Sequence, residues 1–340
     1  IKDAAMVRVG IVGISCYTGL ELVKMIVAHP HFRLCYAGAS SNGILSESFS
    51  SLKGVIDIPI EKANAEEIKS RCDLVFLALP HTEGMKLTSA LRGSGVKIVD
   101  LSADYRVSQA NYEKNYCPHL DPKGLEDAVY GLVEINRNKI KNANLIANPG
   151  CYPTCSLLGL LPFAKMLKND VMIDAKSGLS GAGKSLKPSS HYISVNENMN
   201  AYSPLTHRHS DEISEHLNSN LSQKIDVMFV PHLIPLSRGM LVSSYGYLKD
   251  EFKDIDPLSV IEDFYKSEKF IRIRREPVSI KDVAGTHFCD IYAMNHNGKI
   301  WINSSIDNLL RGASSQAMAN ANLIMGIDEA TALPIIGNSI

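Results

Sequence analysis

Residues 7–19 read VRVGIVGISCYTG, and this stretch decides the fold. A compact apolar strand at residues 7–12 leads into a glycine turn, and apolar residues then recur at helical spacing from Leu20 onward. This order is typical of a dinucleotide-binding unit, in which a phosphate meets the N–H groups at a helix start. The glycines at Gly10, Gly13 and Gly19 depart from the spacing G-x-G-x-x-G, so a purely structural turn is the alternative.

Two further apolar strands, at residues 73–79 and 96–100, alternate with helical segments. This alternation predicts a doubly wound parallel sheet, which binds ligands at the carboxyl ends of its strands. Pro80 and His81 follow one strand end, and Arg106 follows the other. Arg106 could grip a phosphate or a carboxylate through two N–H groups, although most arginines are simply solvated.

The second strand, at residues 34–37, ends in the sequence GASSN. A protein that binds NAD usually carries Asp or Glu here for the ribose hydroxyls, whereas Ser40 and Ser41 leave room for a 2′-phosphate. The pattern favours NADP over NAD. The alternative is an ordinary polar loop.

Residues 148–154 read NPGCYPT and place a cysteine after a sharp turn. Residues 145–147 predict a short strand, and residues 155–167 predict a helix. Cys151 then lies near a helix N-terminus, where backbone N–H groups and the helix dipole favour a thiolate. The pattern indicates a nucleophilic cysteine, with a buried structural cysteine as the alternative.

Beyond Cys151 the strands are longer and more widely spaced, at residues 171–176, 225–230, 240–247 and 300–306. Helices are predicted at residues 211–217 and 258–265, and a closing helix at residues 307–325. The pattern predicts a second domain with a mixed or antiparallel sheet. The fold class is therefore α/β, with an N-terminal Rossmann-type doubly wound parallel sheet and an α+β catalytic domain that contains a mixed sheet.

Residues 178–185 read GLSGAGKS and satisfy the phosphate-binding pattern G-x-x-x-x-G-K-[ST]. That loop must run directly into a long amphipathic helix, but Pro188 would disrupt the early turns here. A glycine-rich loop that lines a substrate cleft is the preferred interpretation, and an ATPase is disfavoured.

A histidine pair, His207 and His209, directly precedes a predicted helix start. One of them could donate a proton near pH 7. We favour His209 as the acid and base, because Glu212 lies three residues later and could hold its imidazole in the charged form. His207 would then orient the substrate or contact phosphate. An exposed polar loop is the alternative.

Composition excludes several classes of protein. The 340 residues are 45% hydrophobic and 21% charged, and 35 basic residues balance 36 acidic ones to a net charge of -1. Neither a nucleic-acid nor a membrane-surface partner is indicated, and no apolar run approaches the ~20 residues of a membrane-spanning helix. The N-terminus is too short and polar for a signal peptide. Seven scattered cysteines indicate a reducing compartment, and their spacing indicates no metal site.

Taken in order, these segments resemble the N-acetyl-gamma-glutamyl-phosphate reductases of arginine biosynthesis, relatives of aspartate-semialdehyde dehydrogenase. The resemblance runs along nearly the whole chain and is carried by residues 13–19, 77–81, 100–106, 130–134, 148–154, 177–184, 207–213 and 307–313. The NPGCYP and HRHSDEI runs discriminate best, because aspartate-semialdehyde dehydrogenases surround their cysteine differently. Two positions depart from the family pattern: Cys16 replaces a glycine, and His287 replaces an expected asparagine.

The resemblance implies NADPH-dependent reduction of N-acetyl-L-glutamyl 5-phosphate to N-acetyl-L-glutamate 5-semialdehyde, through a cysteine thioester and with release of phosphate. It implies an NADP-binding domain at residues 1–150, completed by a C-terminal helix at 308–340, and a catalytic and oligomerisation domain at 151–307. It also implies a homo-oligomer, a dimer or tetramer, in the cytoplasm, or in a plastid or other organelle if the chain is a processed precursor. A reductase of another acyl phosphate, similar to aspartate-semialdehyde dehydrogenase, is the alternative.

The resemblance also assigns roles to individual residues. Cys151 and His209 would be catalytic, Arg106, His207, Glu212 and Ser180 would bind substrate, and no metal is expected. The residues assigned to the cofactor are Gly13, Ser15, Tyr17, Thr18, Gly19, Ser40, Ser41, Pro80, Gly181 and Asn308. Two competing classes each lack one part of this set. A cysteine hydrolase does not need the nucleotide-binding unit, and an NADP-sensing regulatory protein does not need Cys151.

Overall fold

The computed structural model describes residues 6–184 and 188–337. They fall into two compact units. The first unit contains the chain up to Pro149 together with Ala313–Leu333, and the second contains Gly150–Gly312 together with the chain from Pro334 onward.

The first unit is built on an eight-stranded sheet with the order β3-β4-β2-β1-β5-β6-β8-β7. Its strands are β1 (Val7–Val12), β2 (Phe32–Ala39), β3 (Gly43–Ile44), β4 (Pro59–Lys62), β5 (Leu74–Leu77), β6 (Lys97–Asp100), β7 (Ala128–Tyr130) and β8 (Leu145–Ala147). All neighbouring strands run parallel except the edge pair β3 and β4. The predicted doubly wound parallel sheet is confirmed.

Helices follow most of these strands. They are α1 (Tyr17–Ala28), α2 (Leu45–Ser48), α3 (Ala65–Arg71), α4 (Glu83–Leu91), α5 (Gln109–Asn115), α6 (Pro122–Asp127) and α7 (Val133–Lys141). Because both faces of a parallel sheet are covered, its central strands are apolar throughout. Ile11 in β1 and Phe76 in β5 are fully buried.

The central strand β1 pairs with β2 on one side and with β5 on the other. The chain therefore changes direction across the sheet at the carboxyl end of β1. Ligands of open α/β sheets bind in the crevice at such a switch point. This end of β1 is where Gly13 begins the turn into α1.

The second unit is built on a seven-stranded mixed sheet with the order β10-β11-β9-β12-β15-β14-β13. Its helices are α8 (Cys151–Leu160), α9 (Tyr192–Val195), α10 (His209–Asn218), α11 (Pro257–Phe264) and α12 (Ile280–Val283). Its strands are β9 (Leu167–Gly178), β10 (Asn200–Ala201), β11 (Asp226–Ile234), β12 (Met240–Leu248), β13 (Ile271–Ile273), β14 (Cys289–His296) and β15 (Lys299–Ile306). Helix α8 packs on β12, β15 and α10. The predicted mixed sheet is confirmed.

The last helix, α13 (Ser315–Ile324), belongs to the first unit and is buried over its whole length. Two of its polar side chains form hydrogen bonds with other segments of the first unit. Gln316 Nε2 donates to the Gly131 carbonyl at 2.7 Å, and Asn320 Nδ2 donates to Asn148 Oδ1 at 3.0 Å. These bonds satisfy the buried amide nitrogens of the two side chains, whose burial would otherwise be unfavourable.

Several predicted boundaries shift in the structure. The helix predicted at residues 155–167 begins at Cys151, because Pro153 lies in the first turn, where its missing N–H is not needed. The predicted closing helix starts with a π-helical turn at Leu310–Ser314 before α13. Residues 308–312 and 334–337, predicted to belong to the first domain, lie in the second unit. Among the described helices, none is long and apolar enough to cross a membrane.

Candidate active site

The proposed nucleophile is the first residue of a helix. Gly150 is the N-cap of α8, with extended dihedral angles of φ -67° and ψ 156°, and Cys151 follows it. Thr154 donates from both its N–H and its Oγ1 to the Gly150 carbonyl, at 2.9 and 2.8 Å. The half-buried Cys151 therefore lies among the helix N–H groups that have no partner within the helix, a setting that favours a thiolate.

Helix α10 supports the turn before this cysteine. Glu212 is 3% exposed, and its Oε1 accepts the Gly150 N–H at 2.9 Å. Because His209 is the first residue of the same helix, this bond links the start of α10 to the start of α8. His209 begins α10 and Cys151 begins α8, so the imidazole and the predicted nucleophile lie at the starts of two helices that pack together.

Histidine and aromatic rings cluster around Tyr152, next to the nucleophile. The rings of His207 and His209 each lie 5.9 Å from the Tyr152 ring and 4.8 Å from each other. Tyr202 donates from its hydroxyl to the Tyr152 hydroxyl at 3.1 Å, and Tyr152 donates to the His232 carbonyl at 3.2 Å. Burial raises the pKa of Tyr202 to about 12. The hydrogen bond with Tyr152 opposes this shift, and the charge of Cys151 adds to it.

The two histidines differ in environment. His207 Nδ1 accepts the backbone N–H of His209 at 3.1 Å, so this nitrogen carries no proton and helps to cap α10. Burial first, and the charge of Arg208 second, lower the pKa of His207 to about 4. His207 is consequently neutral at pH 7.

The glycine-rich segment ends β9 and forms a short 3₁₀ turn at Leu179–Ala182. Asn308 holds this turn: its Nδ2 donates to Ser180 Oγ at 2.9 Å, and its Oδ1 accepts the Gly239 N–H at 2.6 Å. A Cβ at Gly181 would lie 3.2 Å from Ser177 Oγ. The next α-helix among the described residues is α9, which has four residues. Within the described residues, the segment therefore does not lead directly into the long helix that a nucleotide hydrolase needs.

In the first unit, the predicted cofactor residues lie at carboxyl ends of parallel strands. Gly13 has φ +85°, and a Cβ there would collide with the Ala78 carbonyl. Ser15, Tyr17, Thr18 and Gly19 complete the turn and begin α1. Ser40 and Ser41 are exposed after β2, and Pro80 is exposed after β5. The glycine turn leads into the N-terminus of a 12-residue helix, the kind of element whose first N–H groups bind an anion.

Cys16 is compatible with this turn. Its backbone is extended, with φ -86° and ψ 170°, so no glycine is required. Its Sγ accepts the Gly19 N–H at 3.3 Å and lies 2.9 Å from Thr18 Oγ1. The cysteine thus acts as the N-cap of α1.

Arg106 is buried after β6. Its Nε donates to the Asn148 carbonyl at 2.7 Å, and its Nη2 donates to the Leu101 carbonyl at 2.6 Å. These bonds fix the strand end that leads to the Pro149 turn. The structure therefore gives Arg106 a positioning contact in addition to the substrate contact that the sequence predicts.

Two family models match the chain: "Semialdehyde dehydrogenase, NAD binding domain" at residues 8–143, and "Semialdehyde dehydrogenase, dimerisation domain" at residues 151–308. N-acetyl-gamma-glutamyl-phosphate reductase of Campylobacter curvus is 60% identical over 97% of this chain and 98% of its own. The enzyme of that name from Wolinella succinogenes is 53% identical over 96% and 97%.

The chain belongs to the N-acetyl-gamma-glutamyl-phosphate reductase family. The predicted family is confirmed, and so is its class, an oxidoreductase with a nicotinamide-dinucleotide-binding domain. A solved structure, aspartate semialdehyde dehydrogenase II of Vibrio cholerae, matches with a TM-score of 0.72 and 16% identity over 95% of this chain and 99% of its own. At 16% identity this similarity shows only that the reductase and the solved structure share a fold.

Sequence reasoning missed several residues around Cys151, the predicted nucleophile of the reductase. Gly312 packs directly behind Cys151: a Cβ on Gly312 would lie 2.7 Å from Cys151 Cβ and 3.1 Å from Cys151 Cα. Tyr202 joins the histidine cluster from a loop that carries no motif. Gly312 had a signal, because it belongs to the run at residues 307–313, but only the fold brings it to the nucleophile. Among the described residues, no group of three or more His, Cys, Asp or Glu side chains could hold a metal ion.

Proposed function

We propose that this protein reduces N-acetyl-L-glutamyl 5-phosphate to N-acetyl-L-glutamate 5-semialdehyde with NADPH and releases phosphate, as a step of arginine biosynthesis. One relative that bears the name of this activity is 60% identical over 97% of the chain. The observation that carries the proposal is Cys151 at the start of α8, beside a helix that begins with His209. A nucleophile at a helix start with an imidazole nearby suits acyl transfer.

The chemistry proceeds through a thioester. The Cys151 thiolate attacks the acyl carbon, the carbon–oxygen bond to phosphate breaks, and phosphate leaves with the bonding electrons. Bound NADPH supplies the hydride that reduces the thioester carbonyl. The resulting oxyanion takes a proton to give a thiohemiacetal; when the carbon–sulfur bond then breaks, the hydroxyl proton passes back to the base, and the aldehyde leaves as Cys151 regains its thiolate.

We assign the proton transfers to His209. His207 already accepts the His209 N–H through Nδ1, and its pKa of about 4 keeps it neutral at pH 7. A neutral imidazole that caps a helix is suited to orienting the substrate rather than to donating a proton from a cation. The proposed substrate contacts are Arg106, His207, Glu212 and Ser180.

We propose NADP as the cofactor, with the first unit as the NADP-binding domain and the second unit as the catalytic and oligomerisation domain. The β1–α1 turn fits a dinucleotide phosphate, because Gly13 has no room for a side chain and a helix starts directly behind it. Exposed Ser40 and Ser41 place hydroxyls, and no carboxylate, directly after β2. Gly181 and Asn308 are the proposed cofactor contacts of the second unit.

We also propose a homodimer that forms through the open face of the second sheet. One row of side chains crosses five strands in register: Met228, Met172, Tyr245, Trp301 and Met294. All but Trp301 are among the exposed large hydrophobic residues. Tyr, Trp and Met are enriched at protein interfaces, and the matching family model describes this part of the chain as a dimerisation domain. We place the enzyme in the cytoplasm, in keeping with seven cysteines that form no disulfide.

The reverse reaction tests the proposed function. Phosphate-dependent reduction of NADP+ should proceed with N-acetylglutamate semialdehyde and be much slower with aspartate semialdehyde. Cys151→Ser should lower kcat by several orders of magnitude and leave NADPH binding nearly unchanged, since the sulfur supplies covalent chemistry. Retention of activity within about tenfold, a barrier change of ~1.4 kcal/mol, would rule out the thioester route.

A further inference from the structure

A buried arginine and a buried histidine meet in the second unit, and the proposed chemistry uses neither. Arg311 is 1% exposed and His287 is fully buried. Arg311 Nη1 lies 2.7 Å from His287 Nε2. A guanidinium is always charged and only donates, so His287 Nε2 must be the acceptor and the imidazole must be neutral, with its proton on Nδ1.

The histidine is itself held firmly. Its backbone N–H donates to the Pro334 carbonyl at 2.7 Å, and the Phe270 ring lies 4.7 Å away at an interplanar angle of 87°. Two residues earlier, Gly285 donates its N–H to Asp307 Oδ2 at 2.7 Å. The segment at residues 285–287 therefore forms hydrogen bonds with two residues of the following turn, Asp307 and Arg311.

The chain between Asp307 and Arg311 forms a turn that leads to Gly312, which packs against the proposed nucleophile. Asp307 Oδ1 accepts the N–H groups of Leu309 and Leu310, and the Asp307 carbonyl accepts the Gly312 N–H at 2.9 Å. Gly312 lies against Cys151 so closely that a single added carbon would be 2.7 Å from Cys151 Cβ. Because Arg311 is the residue directly before Gly312, a shift of its guanidinium is transmitted to this contact.

We propose that His287 is a positioning residue for Cys151, acting through Arg311 and Gly312. The imidazole accepts the guanidinium N–H and so fixes the position of Arg311. Because Arg311 is fixed, the turn at residues 307–312 keeps its conformation, and Gly312 stays in contact with Cys151 at the start of α8. The role requires an uncharged acceptor that is rigidly placed, and the contacts of His287 with Phe270 and Pro334 supply that rigidity. This inference rests on the proposed role of Cys151 as the nucleophile.

Two variants separate positioning from bulk stability. His287→Leu removes the acceptor and puts an apolar side chain in its place, whereas His287→Asn supplies a shorter acceptor. His191→Leu, at an exposed histidine, is the matched control. Each variant is assayed for thermal unfolding, for kcat and KM in the reverse reaction, and for the rate at which iodoacetamide alkylates Cys151, followed by peptide mass spectrometry.

For folded His287→Leu we expect kcat to fall by about tenfold or more, since misplacement of a reacting group by ~1 Å can cost ~100-fold. KM for NADP+ should change by less than about twofold, and Cys151 alkylation should slow by about threefold or more, because a displaced cysteine loses its helix N–H environment. His287→Asn should recover most of both rates. A fall in unfolding temperature alone, with kcat and alkylation as in the parent, would overturn the inference.

The outcomes also separate this inference from the proposed function. If iodoacetamide leaves Cys151 of the parent protein unmodified and inhibits through another cysteine, the proposed nucleophile is wrong. If Cys151 reacts in the parent and equally fast in His287→Leu, only the positioning role is wrong. Should His287→Leu not fold, Arg311→Lys decides the question in the same assays, because it keeps a cation but loses the planar fork, and parental rates there would overturn the inference.

Discussion

The contact between Gly312 and Cys151 predicts a large effect from one added methyl group. In Gly312→Ala the new Cβ would lie 2.7 Å from Cys151 Cβ, 3.1 Å from Cys151 Cα and 3.4 Å from Ile306 Cδ1. Carbon atoms pack best at ~3.5–4.0 Å, so the two chain segments must separate by roughly 1 Å. No side-chain rotation relieves the clash, because the two nearest atoms are the Cβ and the backbone Cα of Cys151.

A displacement of that size at the nucleophile should lower kcat by ~100-fold, which corresponds to ~2.7 kcal/mol in the activation barrier. Overpacking should also reduce the free energy of unfolding by ~1–3 kcal/mol. The assay is steady-state NADP+ reduction with phosphate and N-acetylglutamate semialdehyde, with NADPH binding measured by fluorescence and folding by thermal unfolding. We expect KM for NADP+ to stay close to that of the parent.

Gly43→Ala is the matched control, because a Cβ there meets no atom within 4 Å. It should leave kcat and unfolding temperature unchanged. If folded Gly312→Ala keeps kcat within about twofold of the parent, the close contact does not set the position of Cys151, and the reasoning fails.

Three further predictions concern the proton donor, the cofactor and the oligomer. His209→Asn should lower kcat by ~100-fold or more and remove one limb of its pH profile, whereas His207→Asn should keep both limbs; the reverse result would exchange their roles. Ser40→Asp should raise KM for NADP+ about tenfold or more by repelling the 2′-phosphate, while Ser40→Asn, the neutral control, should not. Tyr245→Asp should yield monomers in analytical ultracentrifugation, and Val55→Asp, a surface control, should not; a dimer that persists in Tyr245→Asp would exclude the proposed face.

Local patterns predicted the first unit well, because each of its signals is contained in a short stretch of chain. The β1 strand, the glycine turn and α1 follow one another within residues 7–28, and the structure gives β1 the predicted bounds. The error at α8 is also local in origin. The helix was predicted to start at residue 155, but Pro153 is compatible with the earlier start at Cys151, because a proline in the first turn lacks an N–H that would have no partner within the helix.

The surroundings of Cys151 could not be predicted in the same way, because they join segments far apart in sequence. Glu212 reaches Gly150 across 62 residues, and His287 reaches Arg311 across 24. No periodicity records such pairs, since each partner alone looks like an ordinary polar residue. Gly312 is an extreme case, because its contribution is the absence of a side chain.

The buried carboxylate of Glu212 limits when Cys151 is reactive. It accepts the N–H of Gly150, and a negative charge near a helix start is favourable in itself. A second anion nearby, the Cys151 thiolate, is disfavoured by the same carboxylate. The thiolate therefore needs a cation close by, and His207 does not provide one, because its pKa is lowered to about 4. By this reasoning the proposed proton donor, His209, would have to carry a proton to offset the carboxylate and stabilise the thiolate, so we expect the proposed nucleophile and proton donor to become active together.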